Sequence, residues 1–375
     1  MASAPRIAHL STVHHDWDNR IVNKECRALA EAGLDTHLVI SAPEDRVTRG
    51  VHVHALQRRG RLARLFGSQR QAWGVLRGLR PDLLHVHDPE LIPMALLWGT
   101  VRRRPVVYDA HEDLVKQIAT KGYLHGRRAH LMRPMARVLL WMADWGCDAV
   151  VTATEPIADT FRTRLFGRER PVRVVRNLPW SSDFRVADVA SNGPVAVYTG
   201  DISEARGFTR MVEAIRSVPG ARLVLAGRAL RQDIDPGEDE QVEYRGLVPP
   251  SELPDIIASG RVGLVLLQRL PNYENSLPTK VFEYMASGVP FLATDFPAWQ
   301  ELFGGYDAGV FVDSDDPDAV ASALASLLAD PERCAEMGRN GRRAVEEEFG
   351  FESEAVTLVE LVGSLSAGRR SPRGA

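Results

Sequence analysis

Apolar residues in this chain come in short runs separated by longer amphipathic stretches. Residues 7–10, 36–40, 51–56, 83–87, 106–109 and 149–153 read as strands, with helical periodicity at 21–32 and 92–101 between them. Strands alternating with helices predict a parallel, doubly wound sheet. Residues 172–175 add a last strand before Asn177-Leu178-Pro179. The polar segment 181–194 then interrupts the pattern and reads as a linker.

A second alternation follows, with strands at 195–198, 222–226, 242–244, 262–267, 291–294 and 309–312 and helices at 208–217 and 251–259. Helices at 317–329, 331–347 and 352–365 finish the chain. The pattern predicts a first Rossmann-like domain over 1–180 and a second over 195–350. A terminal helix at 351–367 and a disordered basic tail at 368–375 complete it.

Composition narrows the class. The 375 residues are 45% hydrophobic and 25% charged, as expected of a soluble globular protein. No apolar run approaches the roughly 18 residues of a membrane span. The N-terminus shows no signal-peptide pattern, and three widely spaced cysteines suit a reducing cytoplasm.

The net charge of −3 conceals an asymmetry: residues 1–180 carry 28 Lys and Arg against 18 Asp and Glu, leaving 18 against 31 for the remainder. Seven arginines and no acid lie between positions 58 and 80, and 116–137 is also basic around an apolar stretch at 131–142. A solvated helix face is one reading. A phosphate-bearing acceptor, or peripheral contact with an anionic membrane, is the other. No nucleic-acid-binding module accompanies the charge.

The richest chemistry lies in 272–295. Its polar loop, Asn272-Tyr-Glu-Asn-Ser-Leu-Pro278, leaves an apolar strand and enters a helix near Pro278, with Ser276 as the expected N-cap and Gly288-Val289-Pro290 as the stop. A helix N-terminus attracts anions, and Lys280 adds a full charge. Glu283, three residues on, shares its face. A cation for phosphate beside a carboxylate for hydroxyls suits a sugar nucleotide.

This stretch resembles the donor site of the retaining GT-B glycosyltransferases of family 4, the "group 1" family. Glu283 and Gly288-Val289-Pro290 match the second half of the family pattern. Asn275 stands where the family's first glutamate is expected. The resemblance implies a GT-B fold, two Rossmann-like domains facing a cleft with the last helix crossing back. It also implies a nucleotide-diphospho sugar as co-substrate, with no cofactor.

Residue by residue, the resemblance implies donor contacts from Gly200, Gly207, Gly227, Arg228, Leu247, Val248, Asn275, Ser276, Leu277, Pro278, Thr279 and Glu283. Arg206 and Lys280 would grip the diphosphate. In Gly200-Asp201-Ile-Ser-Glu-Ala-Arg206-Gly207, Asp201 replaces a cation that relatives commonly carry. His111 matches the interdomain histidine beside the transferred sugar. Asp16, His87 and Asp88 fall on the acceptor side, although Asp16 stands in place of the family's glycine-rich loop.

Asp16-Trp17-Asp18 superficially looks like the metal-binding Asp-x-Asp of another glycosyltransferase fold. The histidines and aspartates here are spread over three loops without short ligand spacing, so no catalytic metal is expected. A sugar-nucleotide epimerase and a non-catalytic sugar-nucleotide-binding protein are the alternatives. A nicotinamide dehydrogenase is disfavoured, because no Gly-x-Gly-x-x-Gly follows the first strand.

Overall fold

A computed structural model describes residues 4–60, 63–111, 127–162, 169–230, 240–274 and 276–367. The chain divides into two compact units, residues 1–177 with 352–375, and residues 178–351.

The first unit is built on strands β1 (Arg6–His15), β2 (Asp35–Ser41), β3 (Arg46–Thr48), β4 (Val51–Leu56), β5 (Leu83–Val86), β6 (Val106–Ala110), β7 (Ala149–Thr152) and β8 (Val172–Val174). They lie in the order β3-β4-β2-β1-β5-β6-β7-β8, parallel apart from the β3–β4 hairpin. Strand order reverses between β1 and β5, the switch point where ligands of such sheets bind. β3 has no counterpart in the apolar pattern, because Arg46-Val47-Thr48 is a three-residue edge strand with no buried residue.

Helix Phe351–Ala367 clusters with this unit from Glu352 onward. Glu354 on it accepts hydrogen bonds from Arg176 N at 2.8 Å and Arg176 Nε at 2.7 Å.

The second unit carries β9 (Val195–Thr199), β10 (Arg222–Ala226), β11 (Val242–Tyr244), β12 (Val262–Val265), β13 (Phe291–Thr294) and β14 (Gly309–Val312). All are parallel, in the order β11-β10-β9-β12-β13-β14, so the switch point falls between β9 and β12. β9 and β12 are buried at every position, as a sheet covered on both faces requires.

Its later helices start where aspartates cap them: Asp316 accepts from the Asp318 and Ala319 N–H groups, and Asp330 from that of Arg333. The segment 181–194 is part of this unit rather than a free tether. Val189 is buried in its core, and Ala187 N donates to Ser287 O at 2.8 Å. The tail 368–375 lies outside the described residues.

Candidate functional site

In the second unit the loops after β9, β10 and β11 meet at the carboxyl edge of the sheet. They are laced by backbone hydrogen bonds: Gly200 N to Ala226 O (2.7 Å), Ile202 N to Arg228 O (2.8 Å) and Gly227 N to Gly246 O (2.7 Å). Gly227 (φ +148°) belongs to this lacing, since a Cβ there would stand 1.9 Å from Gly200 O. Gly200 (φ +121°) instead makes room for Lys280, whose Cε and Nζ would lie 2.7 Å from a Cβ at that position. Lys280 therefore sits against the β9 loop, its Nζ 5.4 Å from the centre of the Tyr198 ring.

Burial, and then Arg206, push the Lys280 ammonium down to about 8, against the opposing pull of Glu283 and Asp201. Two cations crowded at the end of β9 are a receptor for negative charge. Arg206 ends the turn Glu204–Arg206, which Gly207 closes. Glu283 is half-buried on the same helix, Thr279–Ala286, one turn beyond Lys280.

That helix starts differently from the sequence expectation. Pro278, buried, occupies the N-cap position without a side-chain cap. Ser276 Oγ donates instead to Tyr273 O at 2.8 Å, while Ser276 O accepts from Trp299 Nε1 at 2.8 Å. Leu277 packs on the core and Thr279 is half-buried. Asn275 lies outside the described residues. Arg228 reaches Asp201 at 3.4 Å, so a guanidinium from the next loop stands beside the aspartate that replaced a cation. Leu247 is exposed, and Val248 packs against the core.

The first unit gathers its own set at the β1/β5 switch point. Asp88 is buried and committed to the carboxyl-terminal half of β1: it accepts from Thr12 N at 2.5 Å, from Val13 N at 3.1 Å, and from the Ser11 and Thr12 hydroxyls. It holds that end of the strand rather than facing outward. Asp16 is engaged by Arg46 through its side chain and its carbonyl. His87 is buried between His9 Nδ1 (2.9 Å) and Asp109 Oδ2 (3.0 Å), and burial pushes it down to about 3. His111 is half-buried, its Nδ1 3.4 Å from Asp109 Oδ2. Burial would raise the Asp109 carboxyl, but Arg20, His111 and His87 outweigh it and hold it well below the usual range.

Sequence reasoning passed over Arg20, Glu25 and Asp109. Arg20 donates to Asp109 at 3.1 and 2.9 Å and lies 3.0 Å from Glu25. No spacing along the chain singles them out, since Arg20 lies in a turn and Glu25 follows Asn23 and Lys24 on a partly polar helix; only the pairing of buried charges marks the three.

Family models match both units. The Glycosyltransferase Family 4 model matches residues 19–178, and a second, described as Glycosyl transferase-like, matches 203–360. The chain belongs to the family 4 glycosyltransferases.

A glycogen synthase of Mycobacterium tuberculosis is 24% identical to this glycosyltransferase over 94% of the chain and 92% of its own length. A phosphatidylinositol monomannoside mannosyltransferase of Mycolicibacterium smegmatis, GDP-mannose-dependent, is 29% identical over 48% of the chain and 50% of its own length. Among solved structures, a sucrose-phosphate synthase from Thermosynechococcus elongatus superposes with a TM-score of 0.72 at 19% identity, covering 97% of this chain and all of that one. Anabaena HepE, solved with UDP and glucose, superposes at 0.68 with 17% identity, covering 96% and 100%. The fold is GT-B, with two Rossmann-like α/β domains.

Proposed function

We propose that this glycosyltransferase transfers a sugar from a nucleotide-diphospho donor to an anionic, lipid-linked acceptor, with retention at the anomeric carbon and without a catalytic metal. The observation that carries the donor reading is the Lys280–Arg206 pair at the β9/β12 switch point, with Gly200 shaped around the lysine. That HepE is solved with UDP-glucose supports it.

Breaking the bond between the anomeric carbon and the diphosphate leaves negative charge on phosphate oxygens, which the two cations meet. A departing phosphate oxygen takes the proton of the acceptor hydroxyl as that oxygen bonds to the same face of the carbon. His111 donates a hydrogen bond to a substrate hydroxyl. Incubation with candidate donors, alone and with acceptor, tests the reading: transfer with retained configuration by NMR is expected. Inversion, epimerised donor or no turnover would each overturn it.

Glu283 is assigned to the ribose hydroxyls. Glu283→Gln is therefore expected to raise the Kd of the nucleoside diphosphate product about tenfold by calorimetry, the worth of one charge-assisted hydrogen bond. An unchanged Kd would move Glu283 into helix packing. Brief EDTA treatment is expected to leave turnover intact, since protein cations meet the leaving charge. Loss that Mg²⁺ or Mn²⁺ restores would make a catalytic metal necessary.

The acceptor reading rests on the carboxyl edge of the first sheet. There Arg58, Arg59 and Arg64 line one pocket with Thr12, His15 and Ser41. Arg61 lies outside the described residues. On helix Arg127–Gly146, Met135, Val138, Trp141 and Trp145 are exposed at helical spacing, a stripe suited to peripheral membrane contact.

Two relatives act in lipopolysaccharide core biosynthesis and on phosphatidylinositol monomannoside. Acceptor KM is expected to rise with salt, because exposed charges are screened within about 10 Å at 0.1 M. Replacing Arg58, Arg59, Arg61 and Arg64 with serine should reproduce the rise at low salt while donor KM stays flat. Indifference to both would leave a neutral acceptor.

A further inference from the structure

Covered parallel sheets bury apolar runs, yet the centre of the first sheet buries three imidazoles. His9 and His85 are register partners on β1 and β5. His87 follows His85 by two residues, so the pleat returns it to the same face. Ring centres lie 4.5 Å apart for His9 and His85, and 4.9 Å apart for His85 and His87. Glu25 joins them from helix Ile21–Cys26, and none of the four is more than 1% exposed.

Their hydrogen bonding is incomplete. His9 Nε2, both nitrogens of His85 and both oxygens of Glu25 have no hydrogen-bond partner among the described residues. Glu25 Oε1 does make an ion-pair approach to Arg20 Nε at 3.0 Å. Leaving such groups buried and unmatched is costly. His85 Nε2 and Glu25 Oε2 are 3.9 Å apart, too far for a hydrogen bond. Two ligands of one tetrahedral ion, each bound at about 2.0–2.1 Å, stand roughly 3.4 Å apart. One donor atom from each of the four residues lies within 4.8 Å of the others.

We propose that His9, Glu25, His85 and His87 form a structural site for a divalent transition metal of the zinc class. Three imidazoles and a carboxylate make a closed tetrahedral set with no position left for substrate, so the ion braces the sheet and takes no part in transfer. His87 turns its Nε2 from His9 Nδ1 to the ion, while its Nδ1 keeps Asp109 Oδ2 at 3.0 Å, which orients the ring. Arg20 ties Asp109 to Glu25 behind them. Two carboxylates against one guanidinium leave an excess negative charge that a cation meets. A proton on Glu25 is the rival way of meeting it.

The full chain, purified without chelator, is expected to hold one zinc by elemental analysis. Unfolded with chelator and refolded metal-free, it should melt lower than when refolded with Zn²⁺. Refolding with Co²⁺ should give the visible absorption of a tetrahedral site. His85→Asn and Glu25→Gln should each cut bound zinc below about a tenth per chain, as loss of a ligand from a folding-coupled site does.

Should a variant fail to fold, the wild-type refolding comparison still decides. Zinc at background, with melting and absorption indifferent to Zn²⁺ and Co²⁺, would overturn the site in favour of a protonated Glu25. Full zinc in both variants would overturn the ligand assignment.

Discussion

Lys280→Ala and Arg206→Ala are each expected to lower kcat by about 10²–10³-fold, the usual loss when one preorganised donor to developing charge is removed. Donor KM should move less, because charge on the leaving diphosphate grows between ground state and transition state. The geometry makes Lys280 the more telling of the two. It is pressed into the space that Gly200 leaves, and burial with the neighbouring arginine lowers its ammonium to about 8 rather than the ordinary 10.5.

The cation is therefore present below that value in the free enzyme and lost as pH rises through it. kcat/KM for the donor should fall along an alkaline limb near pH 8, while bound diphosphate holds the proton on and moves the limb in kcat upward. Lys280→Arg, which keeps its charge at any accessible pH, should abolish the limb even where its rate is lower. Wild-type kcat/KM in the alanine variants, or an unshifted limb in the arginine variant, would remove Lys280 from the diphosphate.

The largest loss of stability is expected from Gly227→Ala. A Cβ at that position would stand 1.9 Å from Gly200 O, where real side chains never approach, and φ of +148° is a conformation L residues rarely adopt. Relief requires the β9 and β10 loops to part, which breaks the Gly200 N to Ala226 O and Ile202 N to Arg228 O bonds. Strain and lost bonds together cost about 3 kcal/mol or more, a fall in Tm of about 6–12 °C for a domain of this size. Gly305→Ala, with nothing within 4 Å of its Cβ, is the control and should melt as the wild type does. If Gly227→Ala melts within about 2 °C of wild type, the close approach of the two loops is wrong.

Much of this protein is determined by its sequence read alone. Inner strands such as β6, β7, β9, β12 and β13 follow from short apolar runs, because a parallel sheet covered by helices buries both their faces, whereas β3, β8 and β11 mix polar with apolar positions. The motif around Lys280 and Glu283 was likewise legible, since helical spacing alone sets which residues share a face.

Other properties belong to the tertiary structure. Segment 181–194 is polar by composition but packs through Val189, with Phe184 and Ala187 against the same core, scattered residues that no pattern singles out. Ser276 looked like a cap, yet the chain's entry angle gives that position to Pro278. Asp88 sits beside His87 in sequence, but its carboxylate turns inward to Thr12 and Val13, more than seventy residues away. The cluster of His9, Glu25, His85 and His87 was invisible for the same reason. Register between β1 and β5, together with the docking of one helix, brings together donors that have no common spacing along the chain. Local periodicity fixes elements and faces, whereas meetings between distant residues are decided only by how the elements pack.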